Sequence, residues 1–135
     1  MTNEPILIID DNLMNLKLEK RLLETEGYQV LTARNADETL KLLAYFLPKL
    51  ILMDFQLPIV DGIELTKKLR QIPGVKDAVI LMVTSYDQQG DEARAKEAGC
   101  DGYLTKPIDT QTLPSIIADY LRKEKGTGPS GENSN

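Results

Sequence analysis

Histidine is absent from this sequence and Cys100 is its only cysteine. Those two gaps remove an imidazole base, a Cys/His zinc site and an intramolecular disulfide. Any chemistry must therefore come from carboxylates, hydroxyls and lysines. Positive charge is also scarce, with 16 Lys plus Arg against 21 Asp plus Glu, a formal charge of -5 and a pI near 4.8. No basic footprint invites nucleic acid or an anionic membrane surface, so direct DNA binding is not expected. Long apolar runs are missing too. None exceeds six residues, the length of Ala78 to Val83, against roughly 20 for a membrane-spanning helix. The N-terminus offers only Ile6 to Ile9 before two aspartates interrupt it, which is no secretory segment. A cytoplasmic protein without a membrane partner is expected. At 135 residues the chain can bury a real core but is too short for two ordinary domains.

What is present is an alternation. Ile6 to Ile9, Leu50 to Met53 and Ala78 to Val83 are near-continuous apolar runs of strand length, as central parallel strands buried on both faces require. Val30 to Ala33 and Tyr103 to Leu104 are weaker and read as edge strands. Between them lie segments of helical period. Met14, Leu18 and Leu22 repeat at i, i+4 and i+8, and Leu40, Leu43, Ala44 and Leu47 form a second stripe. Leu65, Leu69 and Ile72 form a third. Leu113, Ile116, Ile117, Tyr120 and Leu121 give the cleanest stripe and predict a last helix packed on the sheet. A helix around Gln88 to Ala98 has only alanines as apolar residues and carries Gly90, so its packing is modest.

Punctuation agrees with this layout. Gly27, Gly74 and Gly99 follow helical stretches, and Asp61 with Glu64 reads as a capping-box-like start. The order is βαβαβαβαβα, an α/β fold with a doubly wound parallel sheet of five strands and five helices. One domain is expected over 1–123, followed by a polar tail over 124–135 that has nothing to bury and is expected to be disordered.

Right-handed crossovers bring the C-terminal ends of parallel strands to one edge, where open α/β sheets bind ligands. The first strand ends in Asp10-Asp11, the third in Asp54 and the fourth in Thr84-Ser85, and the fifth is followed by Lys106-Pro107. One acidic residue after a strand is usually a helix cap. Three in one cleft repel each other unless a cation lies between them, and hard oxygen donors suit Mg²⁺ shared with a phosphate.

Asp10-Asp11-Asn12, Met53-Asp54, Leu57-Pro58 with Asp61-Gly62, Val83-Thr84-Ser85 and Lys106-Pro107 together resemble the receiver domain of two-component response regulators. The likeness runs in order over Ile6 to Leu121. It implies the flavodoxin-like receiver fold with strand order 2-1-3-4-5. It further implies that Asp54 is the phosphoacceptor and that Asp10, Asp11, Asp54 and the backbone carbonyl of Gln56 hold Mg²⁺. Lys106 and Thr84 would contact the phosphoryl group. Thr84 and Tyr103 would form the switch, and the Lys106-Pro107 peptide would be cis. Gln56 and Tyr86 would tune dephosphorylation.

The implied partners are a sensor histidine kinase or histidine phosphotransfer protein upstream and a protein target downstream. The protein would be a monomer or a phosphorylation-dependent dimer, catalysing only its own phosphorylation and dephosphorylation. For Tyr103, an amphipathic edge-strand tyrosine with a solvated hydroxyl is the competing expectation. Two other readings share the strand-end carboxylates or the fold. A haloacid-dehalogenase-like phosphatase with an aspartyl-phosphate intermediate usually has a second acid two residues after the nucleophile, where Gln56 stands. A flavodoxin-like cofactor binder would meet Asp10-Asp11 where a phosphate loop should follow the first strand. A receiver module from a hybrid kinase or longer regulator would carry the same motifs.

Overall fold

The apolar runs become the inner strands of one parallel sheet. The computed structural model describes residues 4–84 and 91–125. Strands β1 (Pro5–Ile9), β2 (Gln29–Ala33), β3 (Leu50–Asp54), β4 (Val79–Thr84) and β5 (Gly102–Thr105) alternate with helices α1 (Leu13–Thr25), α2 (Ala36–Leu42), α3 (Gly62–Leu69), α4 (Asp91–Ala98) and α5 (Leu113–Lys125). The order across the sheet is β2-β1-β3-β4-β5, every pair parallel. All residues of β3 and β4 are buried, which explains why their sequences run apolar without alternating.

Successive side chains of a strand point to opposite faces, so the sheet has two cores. Leu7, Ile9, Ile51, Met53, Ile80 and Met82 pack with Ile63, Leu65 and Leu69 of α3 and Ala95 and Ala98 of α4. Ile6, Ile8, Leu50, Leu52, Leu81 and Val83 pack with Leu16 and Leu23 of α1 and Leu113, Ile117 and Leu121 of α5. Gly27, Gly74 and Gly99 all have positive φ, and Asp61 caps α3 by accepting from Glu64 N at 2.9 Å.

Two helical stripes differ from expectation. On α1, Met14 is 74% and Leu18 55% exposed, while Leu16, Glu19 and Leu23 face the sheet. Two leucine-rich faces compete on this helix. The one that wins includes a glutamate, which hydrophobic periodicity counts against burial. The second stripe does not lie on one helix, because α2 ends at Leu42 and the chain turns ahead of Pro48. Leu43 and Phe46 are buried there, and Leu40, Ala44 and Leu47 are exposed. At α4, Ala95 and Ala98 are buried and Ala93 is exposed, while Gln88 to Gly90 lie outside the described residues. Helix α5 runs to Lys125, two residues past the expected domain end. The rest of the expected tail also lies outside the described residues.

Candidate functional site

Local hydrogen bonds fix the ends of β1 and β3 so that their carboxylates converge. Asp10 N donates to Ala33 O of β2 at 3.1 Å. The Asp10 carboxylate accepts from Asn12 N at 2.9 Å and Asn15 Nδ2 at 3.3 Å. Asn12 in turn caps α1 by accepting from Asn15 N at 3.0 Å, so the capping loop and the carboxylate share one geometry.

Asp54 Oδ1 accepts from Gln56 N at 3.2 Å. Below it, α3 approaches so closely that a Cβ on Gly62 would stand 2.6 Å from Asp54 O and 2.9 Å from Met82 Sδ. Only glycine fits there. Asp10 and Asp54 are buried and Asp11 is exposed, with one carboxylate oxygen from each lying within 4.8 Å of the others.

The cation of the cluster comes from the β5–α5 connection. Lys106 N donates to Thr84 O of β4 at 2.6 Å, and the Lys106-Pro107 peptide is cis. Lys106 Nζ lies 3.3 Å from Asp54 Oδ2 and 3.5 Å from Asp10 Oδ2. Burial and the neighbouring Asp10 push the Asp54 carboxyl up to about 6, partly offset by Lys106 and the Gln56 N–H. Burial alone would lower the Lys106 ammonium, but the Asp54 and Asp10 carboxylates outweigh it and raise its pKa. One ammonium therefore leaves the three carboxylates under-compensated. Hard oxygen donors at this spacing are compatible with Mg²⁺.

Thr84 is buried at the end of β4, opposite Thr105. Tyr103 pairs with Met82 across the strands and its hydroxyl oxygen is buried, so the solvated-hydroxyl arrangement is not the one observed. The Gln56 side chain is exposed. Ser85 and Tyr86 lie outside the described residues. Sequence reasoning missed Glu19, buried in α1, and Asn15, whose amide holds Asp10. Asn12 is a residue type that caps helices, a signal that could have drawn attention to the position three residues on.

A sequence model of the response regulator receiver domain matches residues 6–118. The chain belongs to the receiver-domain family. Among curated relatives, the polar-differentiation response regulator DivK of Brucella anthropi is 39% identical over 116 residues, covering 86% of this chain and 94% of that protein. Among solved structures, a CheY-like receiver domain protein from Methanospirillum hungatei JF-1 superposes with a TM-score of 0.86 at 31% identity, covering 94% and 100% of the two chains. The receiver domain of a sensor histidine kinase from Pseudomonas aeruginosa PAO1, described with a magnesium ion coordinated in its active-site cleft, gives 0.80 at 26% identity, covering 90% and 99%. Within this family frame, the strand-end cluster of Asp10, Asp11 and Asp54 with Lys106 occupies the sheet edge where open α/β folds place their ligands.

Proposed function

We propose that this receiver domain is a phosphorylation-dependent signalling switch that takes a phosphoryl group onto Asp54 from a phosphohistidine partner. The observation that carries this reading is the Lys106 ammonium set between Asp54 and Asp10 beside three converging carboxylates. An Asp54 carboxylate oxygen attacks phosphorus. The bond from phosphorus to the donor nitrogen breaks, and the donor histidine leaves with the electron pair. Asp10, Asp11, Asp54 and the Gln56 carbonyl would hold Mg²⁺, which when bound offsets the charge of nucleophile and phosphoryl oxygens. Lys106 supplies a second positive charge on the Asp54 side, and Thr84 donates its hydroxyl to a phosphoryl oxygen. Hydrolysis adds water to phosphorus and returns the Asp54 carboxylate and inorganic phosphate, with the exposed Gln56 bordering the water's path.

The readout follows from the same elements. Movement of Thr84 toward the phosphoryl group frees space for the Tyr103 ring, and the α4-β5-α5 surface then presents a changed face to a downstream protein. The upstream partner is a sensor histidine kinase or a histidine phosphotransfer protein, and the setting is the cytoplasm. No helix among the described residues is long and apolar enough to cross a membrane.

The test is Mg²⁺-dependent labelling by acetyl phosphate, with the modified residue located by mass spectrometry. Asp54→Asn should abolish acyl-phosphate formation and leave the fold intact, and Asp11→Ala should raise the Mg²⁺ requirement. Normal labelling of Asp54→Asn would defeat the assignment.

A further inference from the structure

Helix α1 buries a carboxyl group that the chemistry above does not use. Glu19 lies with Leu16 and Leu23 on the sheet-facing side of the helix and is only 6% exposed. Among the described residues no hydrogen bond or ion pair reaches its side chain. It lines a groove of about 370 Å³ between α1 and the β5–α5 connection, together with Asn15, Leu18, Lys106, Pro107 and Ile108. A buried carboxyl without a partner is costly, and hydrophobic residues would fill this helix position at no such cost.

The charges acting on Glu19 come from three elements: Asp10 after β1, Asp54 at the end of β3 and Lys106 after β5. Burial, then the repulsion of Asp10, raises its carboxyl to about 7, with Lys106 opposing. The group therefore changes charge close to neutrality. Lys106 contacts Asp54 and Asp10 at 3.3 and 3.5 Å, longer than the ~2.7–2.9 Å of a tight charge-assisted hydrogen bond. A further carboxylate beside the same groove competes for that ammonium.

We propose that Glu19 is a positioning residue that acts on phosphoryl transfer through Lys106. Its ionised carboxylate draws the ammonium toward the α1 groove and restrains phosphorylation of Asp54. Protonated Glu19 exerts no such pull, and Lys106 is then free to neutralise the phosphoryl group. The inference rests on the proposed phosphoacceptor role of Asp54.

The experiment compares the full chain with its Glu19→Gln variant, phosphorylated by acetyl phosphate at saturating Mg²⁺ between pH 5.5 and 8.5. Initial rates are followed by intact-protein mass spectrometry. Taking the ratio of the two rates cancels the titration of the donor. The variant-to-wild-type ratio should be near one at the acid end and climb to about three- to tenfold at the alkaline end, the effect of one nearby buried charge. In the metal-free protein the ¹³Cδ resonance of Glu19 should titrate near neutrality.

A pH-independent ratio on well-labelled protein, or a Glu19 midpoint in the ordinary carboxylate range, overturns the role of Glu19 and leaves that of Asp54 standing. A merely structural glutamate would give no step. Absence of Asp54 labelling in the wild type at every pH would overturn the phosphoacceptor assignment itself, and this inference with it.

Discussion

Ile59 has φ of 69° and a fully exposed side chain, in the loop that joins β3 to α3. A β-branched residue in the left-handed region crowds its own backbone, at roughly 1–2 kcal/mol, and here no burial offsets the cost. Nothing in the sequence pattern announces this, because the strain depends on the path the loop takes from Asp54 to the Asp61 cap. Ile59→Gly should therefore stabilise the protein by ~0.5–1 kcal/mol, after allowing for the greater entropy of glycine in the unfolded chain. A urea titration measures it, and a lower midpoint would show that the loop is not strained. Asp10, Asp11, Asp54, Thr84 and Lys106 were readable as a set because each stands at or just beyond the C-terminal end of a strand. Glu19 was not, because a helical glutamate ordinarily faces water and only the packing of α1 turns it inward.

Elements are tied together at the opposite edge of the sheet by one arginine. Arg70, the C-cap of α3, donates from Nε and Nη2 to Gly99 O at 3.0 and 2.6 Å, and from Nη1 to Lys76 O and Ala78 O at 2.6 and 2.7 Å. Its Nη2 also meets Asp101 Oδ2 at 2.9 Å, and that oxygen accepts from Ile80 N at 2.9 Å. One guanidinium thus joins the end of α3, the approach to β4 and the α4–β5 turn. Arg70→Ala should destabilise the fold by about 2–4 kcal/mol, because it leaves several carbonyls unpartnered. Arg70→Lys should recover less than half, since an ammonium cannot reproduce the planar fork. Thermal and urea unfolding of the two variants check this, and equal stability of the wild type and both variants would reduce the clamp to a surface contact. Helix α4 has fewer anchors. Ala95 and Ala98 are buried, and the Arg94 guanidinium stands 5.7 Å from the centre of the Phe55 ring. That small apolar footprint suits the proposed signalling face.

For the whole molecule, the two raised carboxyls make stability depend on pH in an unusual sense. Folded Glu19 holds its proton to about 7 and folded Asp54 to about 6, whereas in the unfolded chain both release it in the ordinary carboxylate range. Between those limits the folded state binds more protons, so the metal-free protein should lose stability as pH rises. The stabilisation is fully present below the unfolded pKa values and gone above about 7. Glu19 alone contributes on the order of 3 kcal/mol as an upper bound. Urea unfolding in a chelator should give a lower midpoint at pH 8 than at pH 5. Glu19→Gln should flatten that slope, and Mg²⁺ should restore the share belonging to Asp54. A metal-free midpoint unchanged between the two pH values would refute both perturbations.

The sequence by itself determined the alternation of strands and helices, the inner strands and the residues at their C-terminal ends. These are local properties: a run of apolar residues in a doubly buried strand, and a carboxylate where that run stops. Tertiary structure alone decided which face of α1 is buried, where α2 stops, and that Glu19 shares a groove with Lys106. It also decided that Arg70 spans three segments and that the Tyr103 hydroxyl is buried. Those outcomes depend on how a helix is rotated about its axis and on contacts between residues far apart in the chain. Hydrophobic periodicity ranks the faces of a helix by composition, and the faces of α1 differ too little for composition to choose. The choice falls to the packing of Leu16 and Leu23 in one cluster with β1, β3 and α5.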